Sequence, residues 1–176
     1  MSGGTTIQLM YHNRLDADKL IFLATAGDTK LFIKFTQRYG AEAHKYCSDK
    51  GIAPRLHEVV LLQGGWRMVI MDYLDEHAFT CISPSDKHLK ANILKAIDIL
   101  HGGGLVHGDV RGVNMMKSTK NGETVIMLLD FDWAGKDGEV QYPGVMNLSV
   151  NRPSGVIRGG LIQMDHDVAM VNLLFL

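Results

Sequence analysis

Acidic and amide side chains are spaced along the middle of the chain in a pattern that could support phosphoryl transfer. Asp109 and Asn114 lie five residues apart, shortly after a glycine-rich turn at residues 102–104, and Asp130 comes after a predicted β-hairpin. Mg²⁺ prefers hard oxygen ligands such as carboxylates and amides, and a carboxylate without a metal can accept a proton from a hydroxyl. Because positioning and charge neutralisation lower most of the barrier to phosphoryl transfer, three such side chains supply the minimum.

The sequence around these residues resembles two motifs of the protein-kinase-like superfamily. Residues 107–114 resemble the catalytic loop, and Asp130 with the Phe that follows resembles the metal-binding motif, in the right order. The resemblance implies that Asp109 is a catalytic residue that accepts the proton of a hydroxyl. It also implies that Asn114 and Asp130 are metal ligands that hold Mg²⁺ against ATP, and that Arg111 is a second catalytic residue that contacts the transferring phosphate.

The upstream half of the chain can be tested for the lysine and glutamate that such a site requires. Residues 30–35 alternate like a strand and include Lys34, which fits the lysine that contacts the α- and β-phosphates of ATP. Glu42 follows within residues 40–49, a predicted short helix, and fits the glutamate that pairs with this lysine. A solvated surface pair is the alternative for the two side chains. Their order ahead of the predicted catalytic loop favours the nucleotide site.

A hinge between two lobes is predicted near residue 72. Two strands, residues 58–63 and 66–71, are joined by the hairpin signal Gly64-Gly65. The segment that follows would bind the adenine through its backbone, although its residues could equally be the ends of core strands. The predicted adenine-binding residues are Met71, Asp72 and Tyr73.

Further elements are predicted downstream of this hinge. Residues 83–86 are typical of a helix start, and apolar residues at helical spacing up to Leu100 predict a buried helix. A tight turn at residues 120–123 predicts a hairpin that carries Asn114 at one end and Asp130 at the other. The last predicted helix covers about residues 160–176.

The motifs are most similar to those of the fungal-type protein kinase family. That similarity implies that Asp167 is a buried acid on a large-lobe helix, where it would hydrogen-bond the backbone of the catalytic loop. The residues that carry the resemblance are Ile33–Phe35, Arg38–His44, Ala53–Leu56, His107–Arg111, Asp130–Gly135 and His166-Asp167.

Some positions depart from the kinase pattern. The early glycines are Gly3, Gly4 and Gly27, so the glycine-rich loop that covers the phosphates is missing ahead of the predicted lysine strand. Gly108 replaces the arginine that usually reads a phosphorylated activation loop, and Asp132 replaces the glycine of Asp-Phe-Gly. His-Gly-Asp also resembles small-molecule phosphotransferases such as aminoglycoside kinases, which leaves the class of acceptor open.

Composition argues against several other classes of protein. The net charge of −1 gives no basic surface for nucleic acid. The two cysteines, Cys47 and Cys81, are too few for a disulfide framework, and no apolar stretch of about 18 residues could span a membrane. We therefore expect a soluble intracellular protein, in the cytoplasm or with the nucleus as the alternative. The apolar C-terminal segment could pair with a second copy or another chain.

The sequence predicts an α+β fold, a reduced two-lobed kinase-like domain. Its small lobe, about residues 1–71, would be an antiparallel sheet, followed by a hinge at 72–76 and a mainly helical large lobe at 77–176. A chain of 176 residues is shorter than two kinase lobes ordinarily need, so a minimal kinase or a fragment is expected. The predicted function is transfer of the ATP γ-phosphate to a hydroxyl, and the alternatives are a regulatory pseudokinase and a small-molecule kinase.

Overall fold

A computed structural model describes residues 8–176, which form two compact units. The first unit contains the described residues up to Gln37 together with Leu56–Leu74, and the second contains Arg38–Arg55 and Asp75–Leu176. The first unit thus ends inside the predicted hinge, whereas residues 38–55, which were predicted to lie in the small lobe, belong to the second unit. Gly3 and Gly4 lie outside the described residues.

The first unit is a five-stranded antiparallel sheet. Side chains of alternating positions pack on one face of it, where Ala24, Leu31 and Ile33 form a small buried core. The strands are β1 (Met10–Arg14), β2 (Ile21–Ala26), β3 (Thr29–Thr36), β4 (Leu56–Leu61) and β5 (Arg67–Asp72). Their order in the sheet is β1-β2-β3-β5-β4, so the longest strand lies in the centre.

The three strands predicted here are present, but the connection between β4 and β5 is longer than predicted. Gly64 and Gly65 both have positive φ, at 72° and 78°, and lie in a 3₁₀ turn at Gln63–Gly65. The Leu62 N–H donates to the Trp66 carbonyl at 2.7 Å, which closes a wider loop than a two-residue hairpin. The predicted end of β4 at residue 63 is therefore wrong by two residues.

The second unit packs three helices on short strands. The helices are α1 (Ala41–Asp49), α2 (Lys90–His101) and α3 (Met164–Leu174). The apolar face predicted for α2 is buried, and it packs with residues of the other two helices in the main core. The buried residues of this face are Leu89, Ile93, Ala96, Ile97 and Leu100.

Two helix starts differ from the sequence prediction. Residues 83–86 form a turn in which Asp86 Oδ2 accepts from the Ser83 N–H at 2.9 Å, so α2 begins only after a 3₁₀ turn at Lys87–Leu89. The last helix begins at Met164 and not at residue 160, because the preceding residues pair with an earlier segment: the Ile162 N–H donates to the Val140 carbonyl at 2.8 Å.

The strands of the second unit form two small antiparallel sheets. The predicted hairpin is confirmed: its strands are β8 (Met115–Lys120) and β9 (Glu123–Leu128), and its turn residues Asn121 and Gly122 have φ of 54° and 82°, which suits a tight hairpin turn. Within residues 8–176, no helix has the length and apolarity needed to cross a membrane. The strands are β6 (Thr80–Cys81), β7 (Leu105–Val106), β8 (Met115–Lys120), β9 (Glu123–Leu128) and β10 (Gly135–Lys136).

Candidate active site

A fully buried carboxylate fixes the start of the predicted catalytic loop in the second unit. Asp167, on α3, accepts from the backbone N–H of His107 at 2.7 Å and from that of Gly108 at 2.8 Å. Its Oδ2 lies 3.2 Å from Nε2 of His101, at the end of α2. The contact between Asp167 and the loop backbone, expected from the family resemblance, is confirmed. The loop is therefore anchored to α3 by charge-assisted hydrogen bonds, and Asp167 links it in turn to the end of α2.

Glycine at position 108 is required by the backbone. Its φ is 81°, and a Cβ there would lie 2.8 Å from Cδ1 of Ile162. An arginine at this position would therefore need both a strained backbone and a displaced core side chain. The departure from the kinase pattern noted in the sequence follows from this packing.

His107 joins the predicted catalytic loop to the end of the hairpin. Its Nε2–H donates to the Leu129 carbonyl at 2.8 Å, and its Nδ1 accepts from the Asp109 N–H at 3.2 Å. The Leu129 N–H in turn donates to the Asn114 carbonyl at 2.9 Å. The two predicted metal ligands, Asn114 and Asp130, are thus brought to neighbouring backbone positions, as the hairpin predicted.

Asp130 occupies a backbone conformation that is rare for residues other than glycine. Its φ is 61°, and the Phe131 side chain that follows is fully buried, stacked on His44 with ring centroids 4.6 Å apart. Outliers of this kind cost energy and persist where the surroundings hold them in place. The buried Phe131 therefore fixes the backbone conformation of the half-buried Asp130 and, with it, the orientation of the Asp130 side chain.

Four donors surround the carboxylate of Asp109, which is buried. Arg111 binds it with two hydrogen bonds, Nε to Oδ1 at 2.9 Å and Nη2 to Oδ2 at 2.7 Å. Nη2 of Arg152 donates to Oδ1 at 3.1 Å, and Nδ2 of Asn114 donates to Oδ2 at 2.8 Å. A carboxylate offers about four lone-pair positions, so the described donors fill all of them.

The side chain of Asn114 has two functions available to it. Its Nδ2 donates to both the carboxylate and the backbone carbonyl of Asp109, the latter at 2.9 Å. Because both bonds use the amide nitrogen, the amide oxygen points the other way. Asn114 thus fixes the loop and presents a hard oxygen, the ligand type that Mg²⁺ prefers.

Arg152 is the part of this site that sequence reasoning missed. Its side chain is only 9% exposed, and its guanidinium lies over the Trp133 ring, 4.9 Å from the centroid. Its Nε and Nη1 are buried and have no hydrogen-bond partner among residues 8–176. Arg152 lies 43 residues after Asp109, and no motif distinguishes it from the exposed Arg158, so the sequence carried no signal for it.

The residues predicted to bind the nucleotide are divided between the units. In the first unit Lys34 is buried on β3, opposite Ile21 and Val69 of the neighbouring strands. Glu42 lies in the first turn of α1 in the second unit and is exposed. Their pairing stays a prediction.

The predicted adenine-binding segment ends β5 of the first unit. Met71 is buried, and Asp72 Oδ1 lies 2.6 Å from His57 Nε2, so that carboxylate already has a partner. The Tyr73 N–H donates to the Lys30 carbonyl at 3.3 Å, and Lys30 Nζ lies over the Tyr73 ring. Adenine binding by these residues stays a prediction.

Burial sets the ionisation of two side chains on α1. Desolvation in the core lowers the pKa of His44 to about 4, and it outweighs the hydrogen bond from Nε2–H to the Pro54 carbonyl at 2.8 Å, which by itself raises the pKa. Desolvation, with a smaller contribution from Asp167, raises the pKa of the Cys47 thiol to about 12. Neither group is charged near neutral pH, and Cys47 is an inert core residue.

Within residues 8–176, no three His, Cys, Asp or Glu side chains form a metal site on their own. A magnesium ion held by one carboxylate and one amide needs further oxygen ligands, which nucleotide phosphates and water supply in phosphoryl-transfer enzymes. The donor set of Asn114 and Asp130 therefore suits a metal that arrives with a nucleotide.

Comparison with solved structures identifies the fold. The PK-1 kinase of Cydia pomonella granulovirus matches with a TM-score of 0.70 and 18% sequence identity, over 93% of this chain. The chain spans 65% of the length of that kinase. No protein-family model and no curated protein matches the chain. The predicted fold is confirmed: the chain has a reduced protein-kinase-like fold, with an antiparallel sheet in its first unit and three helices in its second.

Proposed function

We propose that the chain is an ATP- and Mg²⁺-dependent phosphotransferase that moves the γ-phosphate of ATP to a hydroxyl, namely that of Ser or Thr in a protein. The supporting observation is that hydrogen bonds within the second unit link the loop of Asp109 to the backbone next to Asp130. A buried Asp109 lies in a loop anchored by Asp167, and the same loop is hydrogen-bonded to the backbone beside Asp130. A carboxylate placed next to two hard oxygen ligands suits phosphoryl transfer.

In the proposed reaction, the acceptor hydroxyl loses its proton to the Asp109 carboxylate. The bond between its oxygen and the γ-phosphorus forms while the bond from phosphorus to the β–γ bridging oxygen breaks, and ADP leaves with that electron pair. Arg111, a fixed charge beside Asp109, would orient the carboxylate in this step and stabilise charge on the moving phosphoryl group.

Asn114 and Asp130 are proposed to hold Mg²⁺, which neutralises charge on the phosphates when it is bound. Lys34 is proposed to contact the α- and β-phosphates, with Glu42 as its partner. Backbone groups of residues 71–73 would bind adenine. These assignments rest on the sequence motifs together with the shared fold.

The fungal-type protein kinases are the family we propose for the chain, on the sequence motifs alone. A small-molecule acceptor remains the alternative substrate class, because the His107-Gly108-Asp109 triplet resembles that of aminoglycoside kinases. A cytoplasmic location, and pairing through the C-terminal apolar segment, are likewise proposals from the sequence.

A pseudokinase is the competing function, and one observation favours it. All four lone-pair positions of the Asp109 carboxylate are occupied, so in this state an acceptor hydroxyl finds no free position on the proposed base. A protein with this arrangement could bind nucleotide and regulate a partner without transferring phosphate.

Labelled-phosphate transfer from Mg²⁺-ATP to protein and small-molecule acceptors tests the proposal. Asp109→Asn should lower turnover by a factor on the order of 10² or more, because it removes the proton acceptor, while the affinity for ATP changes little. Asp98→Asn, an exposed change on α2, is the matched control and should behave like the wild type. Equal rates for wild type and Asp109→Asn would favour the pseudokinase.

A further inference from the structure

Arg152 combines two properties that are costly together, burial and incomplete hydrogen bonding. Two of its guanidinium nitrogens, Nε and Nη1, have no acceptor among the described residues, although its side chain is only 9% exposed. A buried donor without an acceptor destabilises the fold, and more so when it is charged. One face of the guanidinium is covered by Trp133, so the N–H groups in its plane are what remain for a ligand, and a two-bond contact with one edge must include the Nη2 that now binds Asp109.

The same arginine is the donor most easily removed from Asp109. Arg111 is bidentate, and Asn114 is also bonded to the Asp109 backbone, whereas Arg152 makes one bond of 3.1 Å, the longest of the four. For a hydroxyl to reach the carboxylate, one of the four donors must leave. Arg152 is the donor whose departure breaks the fewest hydrogen bonds.

From these two observations we propose that Arg152 is an acceptor-recognition residue that binds an anionic group next to the hydroxyl that is phosphorylated. The inference rests on the proposed function and names its substrate class, a Ser or Thr flanked by an acidic side chain. The anion pairs with the guanidinium through two hydrogen bonds, which suits the planar fork of arginine. As Arg152 turns to this anion, its lone-pair position on Asp109 becomes available to the hydroxyl.

In this arrangement the acidic group of the acceptor draws Arg152 away from Asp109, and the carboxylate becomes accessible to the acceptor hydroxyl. Without an acidic acceptor, Arg152 stays bonded to Asp109 and blocks the fourth lone-pair position. Phosphoryl transfer to water and to neutral hydroxyls is then slow. The distance of 3.1 Å between Arg152 and Asp109 places the anion site one short side chain away from the reacting hydroxyl. A neighbouring Asp in a peptide has the right reach.

The test compares two serine peptides that differ only in having Asp or Asn beside the serine. With the full chain and Mg²⁺-ATP, we expect the wild type to prefer the Asp peptide by at least about tenfold in kcat/KM, as one charged hydrogen-bonded contact would give. In Arg152→Gln the ratio should fall to about threefold or less. Arg158→Gln, an exposed change in the same segment, should keep the wild-type ratio.

A ratio near one in the wild type, or an unchanged ratio in Arg152→Gln, would overturn the inference while leaving the proposed phosphotransfer intact. If Arg152→Gln does not fold, Arg152→Lys decides: it keeps the charge but not the fork, so its ratio should fall below that of the wild type, and a wild-type ratio would overturn the proposal.

Calorimetric binding of the two peptides without nucleotide separates this inference from the proposed function. Tighter binding of the Asp peptide that depends on Arg152 supports the anion site even if neither peptide is phosphorylated, in which case only the phosphotransfer proposal fails. Equal binding of both peptides to the wild type overturns the anion site.

Discussion

The individual side chains of the second unit are organised around two buried carboxylates with different surroundings. Asp167 accepts hydrogen bonds from two backbone N–H groups and lies next to His101, so its carboxylate stabilises the loop. Asp109 is bound by guanidinium and amide groups of side chains, which can move. A carboxylate fixed by the backbone suits a structural role, and one held by side chains suits chemistry.

Asp167→Asn is expected to destabilise the fold by about 2–4 kcal/mol. Only the oxygen of the amide can accept a hydrogen bond, so one of the two backbone N–H groups loses its partner. The amide exchange of residues 107–108 should accelerate together with the loss of stability. Denaturant unfolding and hydrogen exchange measure the two effects.

Asp165→Asn on the same helix is exposed and serves as the control for Asp167→Asn. Equal stabilities of the two variants would contradict a structural role for Asp167.

Asp130→Asn tests the metal site without disturbing the backbone, since asparagine tolerates the positive φ of 61° better than alanine. Removing the charge should weaken Mg²⁺-dependent ATP binding by more than about tenfold and leave metal-free binding unchanged. Calorimetry with and without Mg²⁺ measures this, and Glu139→Gln, exposed in the segment that follows, is the control. Unchanged affinity would remove Asp130 from the site.

The types and spacing of the motif residues identify them in the sequence, whereas Arg152, which also binds Asp109, has no such pattern. His107, Asp109, Asn114 and Asp130 stand at spacings that sterically defined loops impose, so types and spacing identify them. Arg152 reaches Asp109 through the folding of the segment after β10, and a single arginine leaves no periodic or spaced signal.

At the scale of elements, α1 is joined to the segment after β9 by aromatic stacking. His44 stacks on Phe131, and the Gly40 N–H donates to the Phe131 carbonyl at 2.8 Å. A Cβ at Gly40 would lie 2.4 Å from the Ala134 carbonyl oxygen, so only glycine permits this approach. The uncharged His44 ring is therefore one of the contacts that hold Phe131, the residue that follows Asp130.

Acidification should loosen this contact between α1 and the segment after β9. The pKa of His44 is about 4 in the folded chain and near 6.5 when unfolded, so the unfolded state binds more protons between these values. The contribution of the neutral His44 to the free energy of unfolding is fully present above pH 6.5 and is lost as the pH falls toward 4. Between pH 7.5 and pH 5 this one group removes about 2 kcal/mol.

Urea unfolding at the two pH values tests this, with His44→Gln compared with the wild type. The variant should lose about 2 kcal/mol less than the wild type over the same interval, whereas His88→Gln, an exposed change just before α2, should keep the wild-type slope. Parallel pH profiles for the wild type and His44→Gln would show that His44 does not limit acid stability.

Elements were predictable in kind and less so in their ends. The hairpin of β8 and β9 follows from an Asn-Gly turn, whose positive φ values few other residues adopt. The start of α3 depends on pairing between residues 161–162 and 140–141, a tertiary contact that outweighs the local helical pattern. Local propensity cannot show such a contact.

For the whole molecule, nucleotide affinity depends on the turn between β1 and β2. This turn takes the place of the missing glycine-rich loop, and we expect it to bind phosphates weakly. The turn between β1 and β2 covers residues 15–20, and Asp16 accepts there from the backbone N–H groups of Asp18 at 2.8 Å and Lys19 at 2.9 Å. It ends where Ile21 pairs with Lys34 across the sheet. Backbone donors that could bind phosphate beside the lysine are thus already used by a carboxylate.

We therefore expect weak nucleotide binding, with a KM for ATP at or above about 1 mM, the upper end of the usual range. The double variant Asp16→Asn, Asp18→Asn keeps the turn but removes two negative charges near the proposed phosphate site, and should lower the KM about threefold to fivefold at low salt and less at high salt. Asp28→Asn, in the turn between β2 and β3 at the other end of these strands, should leave the KM unchanged. Steady-state turnover at varied ATP and salt measures all three proteins. A low-micromolar KM in the wild type, or equal KM values for the double variant and Asp28→Asn, would show that this turn does not face the phosphates and that other backbone groups hold the nucleotide.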